Sequence, residues 1–568
     1  MSCIPVEGAR ARVTPIATRA ISLPLRISNI SWRLSIVCIS LWTTLIAALL
    51  SAYIQPSLRI HDEFSYRLAA ETLMHGRLAN PTPPAWEALQ SFHIIMQPAY
   101  MSKYPLGTAM VTALGWFLSM CFQADTPHVG SWFAAALLAG AATWMLAAVL
   151  PKRWALLGGV IVSLHPFLQL AWSQSLLHGS LTAAGCALLT GGALRMRRRV
   201  QLGSALVSGC GVAILALTRP FEGLCCTAIC GSLLLISWSR FSFADRGKMT
   251  MQAAVYLAAP VLCALALIAA HNHASTGSWK RMPYQVHELQ YAVAPVFVFS
   301  EPDLANVLPR ADVPVMFQKF HAVDSLNWYR GRMGWSGLQR GLIDALGVVF
   351  ALGFPFALVI PLSGTRWLSY RVPQAVCFAI AVQIVASSCV VWVYAHYLAV
   401  LLPWLLLVSL VALRHSMRKS MWSCDGGASQ HTGDNRKRRV VAAIVVGTLA
   451  VQVASLIVFA RFGKEIEAST WAHRRQAIVN QLVQAGGKHL IFVGYAEDHN
   501  VHQEWVYNSA DPLSSRIVWA RNENSRWTDE VLKHYAQGRT VWHLEPDAEV
   551  IELRPFPQTD STLASSCD

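Results

Sequence analysis

The sequence predicts an all-α polytopic membrane bundle of about eleven transmembrane helices, followed by a small C-terminal α/β soluble domain. Three observations carry this expectation. The 568 residues are 54% apolar or aromatic and only 14% charged, where soluble chains carry about 25% charged residues. Apolar runs such as 34–54, 253–270 and 440–460 recur at or near the ~20 residues needed to cross a bilayer. After Arg461 the pattern changes to alternating helix and short apolar strand. A soluble enzyme, a disordered scaffold and a disulfide-stapled secreted domain are excluded.

Twelve apolar stretches can be read: 34–54, 106–122, 130–150, 154–172, 178–194, 200–217, 224–238, 251–271, 341–362, 372–393, 397–413 and 440–460. If all twelve crossed, the runs Arg195–Arg199 and Arg240–Lys248 would lie outside, against the bias of basic loops toward the cytoplasm. Letting one stretch between Leu106 and Leu150 fail to span puts those runs inside, together with Lys152-Arg153, Arg366–Arg371 and Arg414–Arg439. The expected layout is a basic cytoplasmic N-terminus (1–33), a transmembrane domain (34–461) with external loops 55–105 and 272–340, and an external domain (462–568). The first apolar run is too long for a signal-peptide core and reads as an uncleaved span.

The net charge of +15 is unevenly distributed. From Phe462 onward ten Lys/Arg face fifteen Asp/Glu, leaving +20 for the rest, in short runs between apolar segments. That is a topological signal, and with the soluble domain acidic it excludes nucleic acid as a partner. In that domain 470–485 suits an amphipathic helix, 489–495, 516–520 and 540–544 read as strands, and 529–536 as a helix. No G-x-G-x-x-G turn is present, so nucleotide binding has no support. The thirteen cysteines lie mostly inside apolar runs, without metal or redox spacing.

This threading gathers 55–105, the Thr218–Gly223 link, 272–340 and the C-terminal domain on one face. Transporters keep working residues near the midplane; here the ionisable residues collect at one interface. The loop 55–105 opens with His61-Asp62-Glu63-Phe64-Ser65-Tyr66, continues as an amphipathic helix from Phe64 to Leu73 ending at Gly76, bends at Pro81, Pro83 and Pro84, and closes with Lys103-Tyr104-Pro105-Leu106. Two carboxylates and an ammonium thus stand at the membrane-proximal ends of one loop. Lysine snorkelling and helix capping explain such a placement equally well.

The compound pattern (a D-E pair after the first span, Tyr66 four residues past Asp62, a Gly/Pro bend, and K-x-P-L before the next apolar stretch) resembles the GT-C superfamily of membrane glycosyltransferases. The similarity is to the branch, glycosyltransferase family 39-like, that holds protein O-mannosyltransferases and lipid A aminoarabinose transferases. The motif spans 34–120. The resemblance implies a polyprenyl-phosphate-linked sugar as donor and a lipid, glycan or protein acceptor. It implies that Asp62 is the catalytic base and that Lys103 holds the carrier's phosphate; beside these, Glu63 is a candidate catalytic residue in support of Asp62, and Tyr66 and Tyr104 are candidate donor-binding residues. The aminoarabinose branch carries Arg three residues after the Asp, where this chain has Ser65.

The chemistry asks for a carboxylate to deprotonate an acceptor hydroxyl and cations to hold the departing phosphate. Arg219, in Thr218-Arg219-Pro220-Phe221-Glu222-Gly223, is the second candidate cation, with Glu222 as an alternative partner. Tyr284, His396 and Tyr397 are candidate sugar or acceptor contacts. The aromatics of 272–340 (Trp279, Tyr291, Trp328, Trp335) also suit an interfacial belt. His271-Asn272-His273 and His396-Tyr397 could supply metal ligands, but neither group has a third ligand at a recognisable spacing, so no metal site is assigned. No cofactor is assigned, and a divalent metal is left open. The expected localisation is a bacterial inner membrane, in contact with membrane lipid. Two rival functions are a secondary transporter or flippase and a non-catalytic assembly factor.

Overall fold

A computed structural model describes residues 31–362, 365–418 and 429–557. The basic N-terminus and the polar linker 419–428 lie outside the described residues.

Most of the chain is helical. Six described helices are long and apolar enough to cross a bilayer by length and composition, and three shorter apolar helices accompany them. Together they coincide with nine of the twelve apolar stretches. The first, α1 (Trp32–Ile54), shows how they pack. It buries Ser35, Ile39, Thr43, Ala47 and Ser51 at i, i+4 spacing and exposes Leu41, Leu45 and Leu49. Small and hydroxylated residues inside with leucine outside suit a helix surrounded by lipid; Thr43 Oγ1 reaches Ser163 Oγ at 2.7 Å in the interior.

Two stretches differ from single straight crossings. The run 154–172 gives a 12-residue helix, Lys152–Ser163, and a separate π-helical turn, Leu168–Trp172, because Pro166 interrupts the hydrogen-bond ladder. The run 341–362 gives Gly334–Gly353, which ends before Pro355.

After α1 the chain forms α2 (His61–Met74), as the periodicity predicts, and turns at Gly76 with φ +70°. A short hairpin pairs Ile94–Ile95 with Met101–Ser102. Helix α3 (Leu106–Cys121) then meets α4 (His128–Leu146) so closely that a Cβ on Gly115 would lie 2.1 Å from the Gly130 nitrogen. The start of α3 is pressed against α5 (Leu202–Thr218): a Cβ on Gly107 would lie 2.6 Å from the Leu217 carbonyl oxygen. This contact brings Lys103 and Arg219, 116 positions apart, to the same end of the bundle.

Helices α6 (Pro220–Trp238) and α7 (Phe243–Thr276) follow, then the short α8 (Pro283–Tyr291). Much later α9 (Ser429–Ser469) leads into the C-terminal domain. There α10 (Trp471–Ala485), capped by Thr470, precedes strands His489–Val493, Ile517–Arg521 and Thr540–Leu544, with α11 (Ser525–Tyr535) between the last two. The first of these strands is central and parallel to both others; Arg554–Pro555 adds an antiparallel edge.

This domain shares a hydrophobic core with the loop 55–105. The Phe64 and Tyr507 rings stack at 3.8 Å, Ser91 Oγ donates to the Val506 carbonyl at 2.6 Å, and Tyr535 Oη donates to that of Pro84 at 3.1 Å. The basic segments gather at the other end, where Arg240 Nη2 donates to the Arg197 carbonyl at 2.8 Å and Lys152 lies over Trp32.

Candidate functional site

The site forms where α2 begins. Ile60 is extended and α2 starts at His61, which places Asp62 and Glu63 in its first turn, where the helix dipole favours carboxylates. The two neighbours then diverge. Glu63, 2% exposed, accepts the backbone N–H groups of Arg59 (2.9 Å) and Ile60 (3.1 Å) on Oε2 and of Leu176 (3.1 Å) on Oε1. It folds back to cap its own helix and ties it to the segment after Leu168–Trp172. The Asp62 carboxylate instead accepts from the Tyr104 hydroxyl, lies in the field of both Lys103 and Arg219, and has Oδ1 3.3 Å from His93 Nε2. Burial holds the Asp62 carboxyl above the usual carboxylate range, opposed by the two cations and Tyr104.

Ser65, where the resemblance departs, has a local task. Its Oγ lies 2.7 Å from both the His93 carbonyl oxygen and Ser102 Oγ, tying α2 to both arms of the 93–103 hairpin. The Lys103 N–H donates to the same His93 carbonyl at 3.1 Å. Lys103 Nζ is then aimed at Glu288 Oε1, 3.5 Å away, and lies over the rings of Tyr104 and Tyr284 at 5.5 and 5.0 Å. Tyr66 stacks on Tyr104 at 4.8 Å.

Arg219 occupies the break between α5 and α6, with Pro220 at the first position of α6. Its guanidinium lies 4.0 Å over the Tyr397 ring and interacts with Tyr66 and Glu222. Its Nη2 is buried without a hydrogen-bond partner among the described residues. Glu222 is thus a neighbour of Arg219 that leaves part of the fork unoccupied. His396 packs edge-on against Tyr397 at 4.6 Å, and its Nε2 is also without a partner among the described residues.

A cavity of about 330 Å³ opens from this cluster. Lys103, Tyr104 and Tyr284 line its polar end; Val212, Leu224 and Leu265, from α5, α6 and α7, line its apolar body. An elongated apolar chain with an anionic head matches that lining: tail between helices, charge at the mouth.

All nine residues singled out from the sequence therefore lie at this end of the molecule. Asp62, Lys103, Tyr66, Tyr104, Arg219, Tyr284 and Tyr397 form one network, His396 adjoins it through Tyr397, and Glu63 faces backbone amides. Sequence reasoning missed Glu288, the partner of Lys103, and His93, the partner of Asp62. Neither sits in a motif; His93 arrives on the 93–103 hairpin in a left-handed conformation at φ +62°, and Glu288 arrives on α8. Among the described residues no group of three or more His, Cys, Asp or Glu side chains is arranged to hold a metal ion.

No protein-family model and no curated protein sequence matches the chain. Among solved structures, ArnT from Cupriavidus metallidurans bound to undecaprenyl phosphate is 13% identical, with 90% of this chain and 93% of that one covered at a TM-score of 0.50. The apo state of ArnT is 12% identical, with 89% and 92% covered, also at 0.50. AglB, the oligosaccharyltransferase from Archaeoglobus fulgidus, in complex with an inhibitory peptide and a dolichol-phosphate, is 12% identical, with 90% and 69% covered at 0.47. The architecture is shared with ArnT, a protein of the GT-C superfamily, over nine-tenths of the chain.

Proposed function

We propose that the chain is an integral-membrane glycosyltransferase that moves a sugar from a polyprenyl-phosphate donor to an acceptor hydroxyl at the outer membrane face. One observation carries this reading: a buried carboxylate, Asp62, lies in the field of two cations, Lys103 and the incompletely paired Arg219, and Lys103 also lines an apolar cavity. The shared fold supports it, since the ArnT structure holds undecaprenyl phosphate. The orientation that goes with it has about eleven crossings, the N-terminus inside and the C-terminal domain outside, in a bacterial inner membrane.

The reaction follows from the groups present. The donor tail lies in the cavity and its phosphate between Lys103 and Arg219. The acceptor hydroxyl gives its proton to Asp62 as its oxygen bonds to the anomeric carbon. The carbon–oxygen bond to phosphate breaks and the electron pair leaves on the phosphate, where the two cations stabilise it. A raised carboxyl pKa makes Asp62 a stronger base once ionised. Glu63 serves by fixing the turn from which Asp62 projects. Tyr284, His396 and Tyr397 border the space for the sugar.

Deleting the gene and profiling lipid extracts by mass spectrometry tests the reading. A polyprenyl-phosphate sugar should accumulate, with loss of the same sugar from an external glycan, lipid or protein. Unchanged lipid-linked sugars together with a transport defect would overturn it in favour of a carrier.

A further inference from the structure

Lys103, the cation beside Asp62, already carries a carboxylate of its own. Glu288 Oε1 lies 3.5 Å from Lys103 Nζ, and His287 Nδ1 lies 3.4 Å from the same oxygen. Glu288 stands one turn after Tyr284 on α8, so both reach Lys103 from one helix face. Partial burial works against ionisation of Glu288, but Lys103 and His287 outweigh it and hold the carboxyl below the ordinary glutamate range. Glu288 is therefore charged at neutral pH. Charge balance does not account for it, because Asp62 already lies in the field of Lys103. Nor is Glu288 needed to fix α8, where the Tyr291 hydroxyl donates to Gln90 Oε1 and Gln290 Nε2 to the Gln97 carbonyl, each at 2.9 Å.

A carrier phosphate thus arrives as a third anion beside Lys103. The donor linkage is a phosphodiester with one negative charge. Sugar transfer leaves a monoester, whose second ionisation lies near about pH 6, with up to two. The attraction of Lys103 and Arg219 grows with that charge, and a site of cations alone would retain the spent carrier. Asp62, which takes the acceptor's proton, is neutral at that moment; Glu288 is the carboxylate that stays charged. An anion in contact with Lys103 Nζ at about 2.8 Å lies at most about 6 Å from Glu288 Oε1, inside the screening length of about 8 Å. Their repulsion doubles when the charge on the phosphate doubles. Glu288 therefore opposes the spent monoester about twice as strongly as the donor diester.

We infer that Glu288 drives the spent carrier phosphate off Lys103 and so sets how long the polyprenyl monoester stays after sugar transfer. This rests on Lys103 holding the carrier phosphate, as proposed above. Glu288 touches Lys103 and not the reacting atoms. It acts on release, and no bond is made or broken through it.

The test uses the full chain in phosphatidylcholine nanodiscs at about pH 8, where the monoester carries two charges, with binding read by native mass spectrometry. The probes are undecaprenyl phosphate and its methyl diester, which has one charge and no sugar. Glu288→Gln should bind the diester about tenfold and the monoester about a hundredfold more tightly than wild type does. Glu288→Asp keeps the charge and should keep the wild-type ratio of the two affinities. Lys103→Met should weaken the binding of both lipids. If Glu288→Gln changes both affinities by the same factor, changes neither or weakens binding, the inference is overturned while Lys103 keeps its place at the phosphate. Wild-type affinities in Lys103→Met, or failure of wild type to bind either lipid, overturn the phosphate reading and the inference with it.

Discussion

Replacing Glu63 should damage the fold, whereas replacing its neighbour Asp62 should damage only the chemistry. The magnitude follows from the three amides that Glu63 accepts. The N–H groups of Arg59 and Ile60 belong to partly exposed residues, and water can replace the carboxylate there, leaving a lost cap of about 1 kcal/mol. Leu176 is fully buried; its N–H, left unpaired, costs about 1–3 kcal/mol. Glu63→Ala should therefore cost about 2–4 kcal/mol. Glu63→Gln should recover little, because an amide that keeps its oxygen toward Arg59 and Ile60 turns its NH2 toward the Leu176 N–H. Asp62→Asn acts in the opposite direction. Since burial raises the Asp62 pKa, the folded state favours the protonated form, and ionised Asp62 weakens the fold at neutral pH. The neutral amide should leave the melting temperature equal or higher, while turnover falls about 10²–10⁴-fold with loss of the base. Melting curves in nanodiscs and kcat per folded molecule check both. Glu63→Gln with unchanged melting and turnover lowered like that of Asp62→Asn would refute the division of roles.

Three further outcomes are expected. Gly107→Ala puts a methyl group against the Leu217 carbonyl oxygen, so α3 must shift from α5; donor KM should rise by at least tenfold while the soluble domain keeps its protease resistance. Arg219→Lys keeps the charge but loses the planar fork, and kcat should fall about 10–100-fold, with Arg219→Gln falling about 10²–10³-fold. The acid limb of kcat/KM should lie above pH 3.8, the ordinary aspartate value, because burial raises the Asp62 pKa; Lys103→Met removes a cation that lowers it and should shift the limb to higher pH. Unfolding must be followed over the same range. Burial lowers His61 from 6.5 to about 3, so the unfolded state binds that proton more readily and the fold weakens as pH falls through this window.

Much of the fold was legible because membrane helices announce themselves by composition, and their order fixed which loops share a face. What composition could not reveal was where a run breaks: Pro166 divides 154–172, and helix 334–353 stops before Pro355. In the C-terminal domain the strand 540–544 was placed to the residue, while the helix read as 529–536 begins at Ser525 under an Asn524 cap. Within the site, Asp62, Lys103 and Arg219 could be found because each sits where a span ends and each is chemically conspicuous. The difference between Asp62 and Glu63 was not legible, since it depends on Leu176, more than a hundred residues away. Glu288 and His93 were missed for the same reason: their meaning lies in the tertiary approach of two loops, and no local spacing encodes it.

The central claim is that Asp62 accepts a proton while Lys103 and Arg219 hold a lipid phosphate. It is tested most directly with full-length wild type and Asp62→Asn in nanodiscs, supplied with undecaprenyl-phosphate sugars, following both donor binding and product by mass spectrometry. Asp62→Asn should bind the donor as wild type does and form no product within the turnover time of wild type. Product formation by Asp62→Asn at the wild-type rate would contradict it.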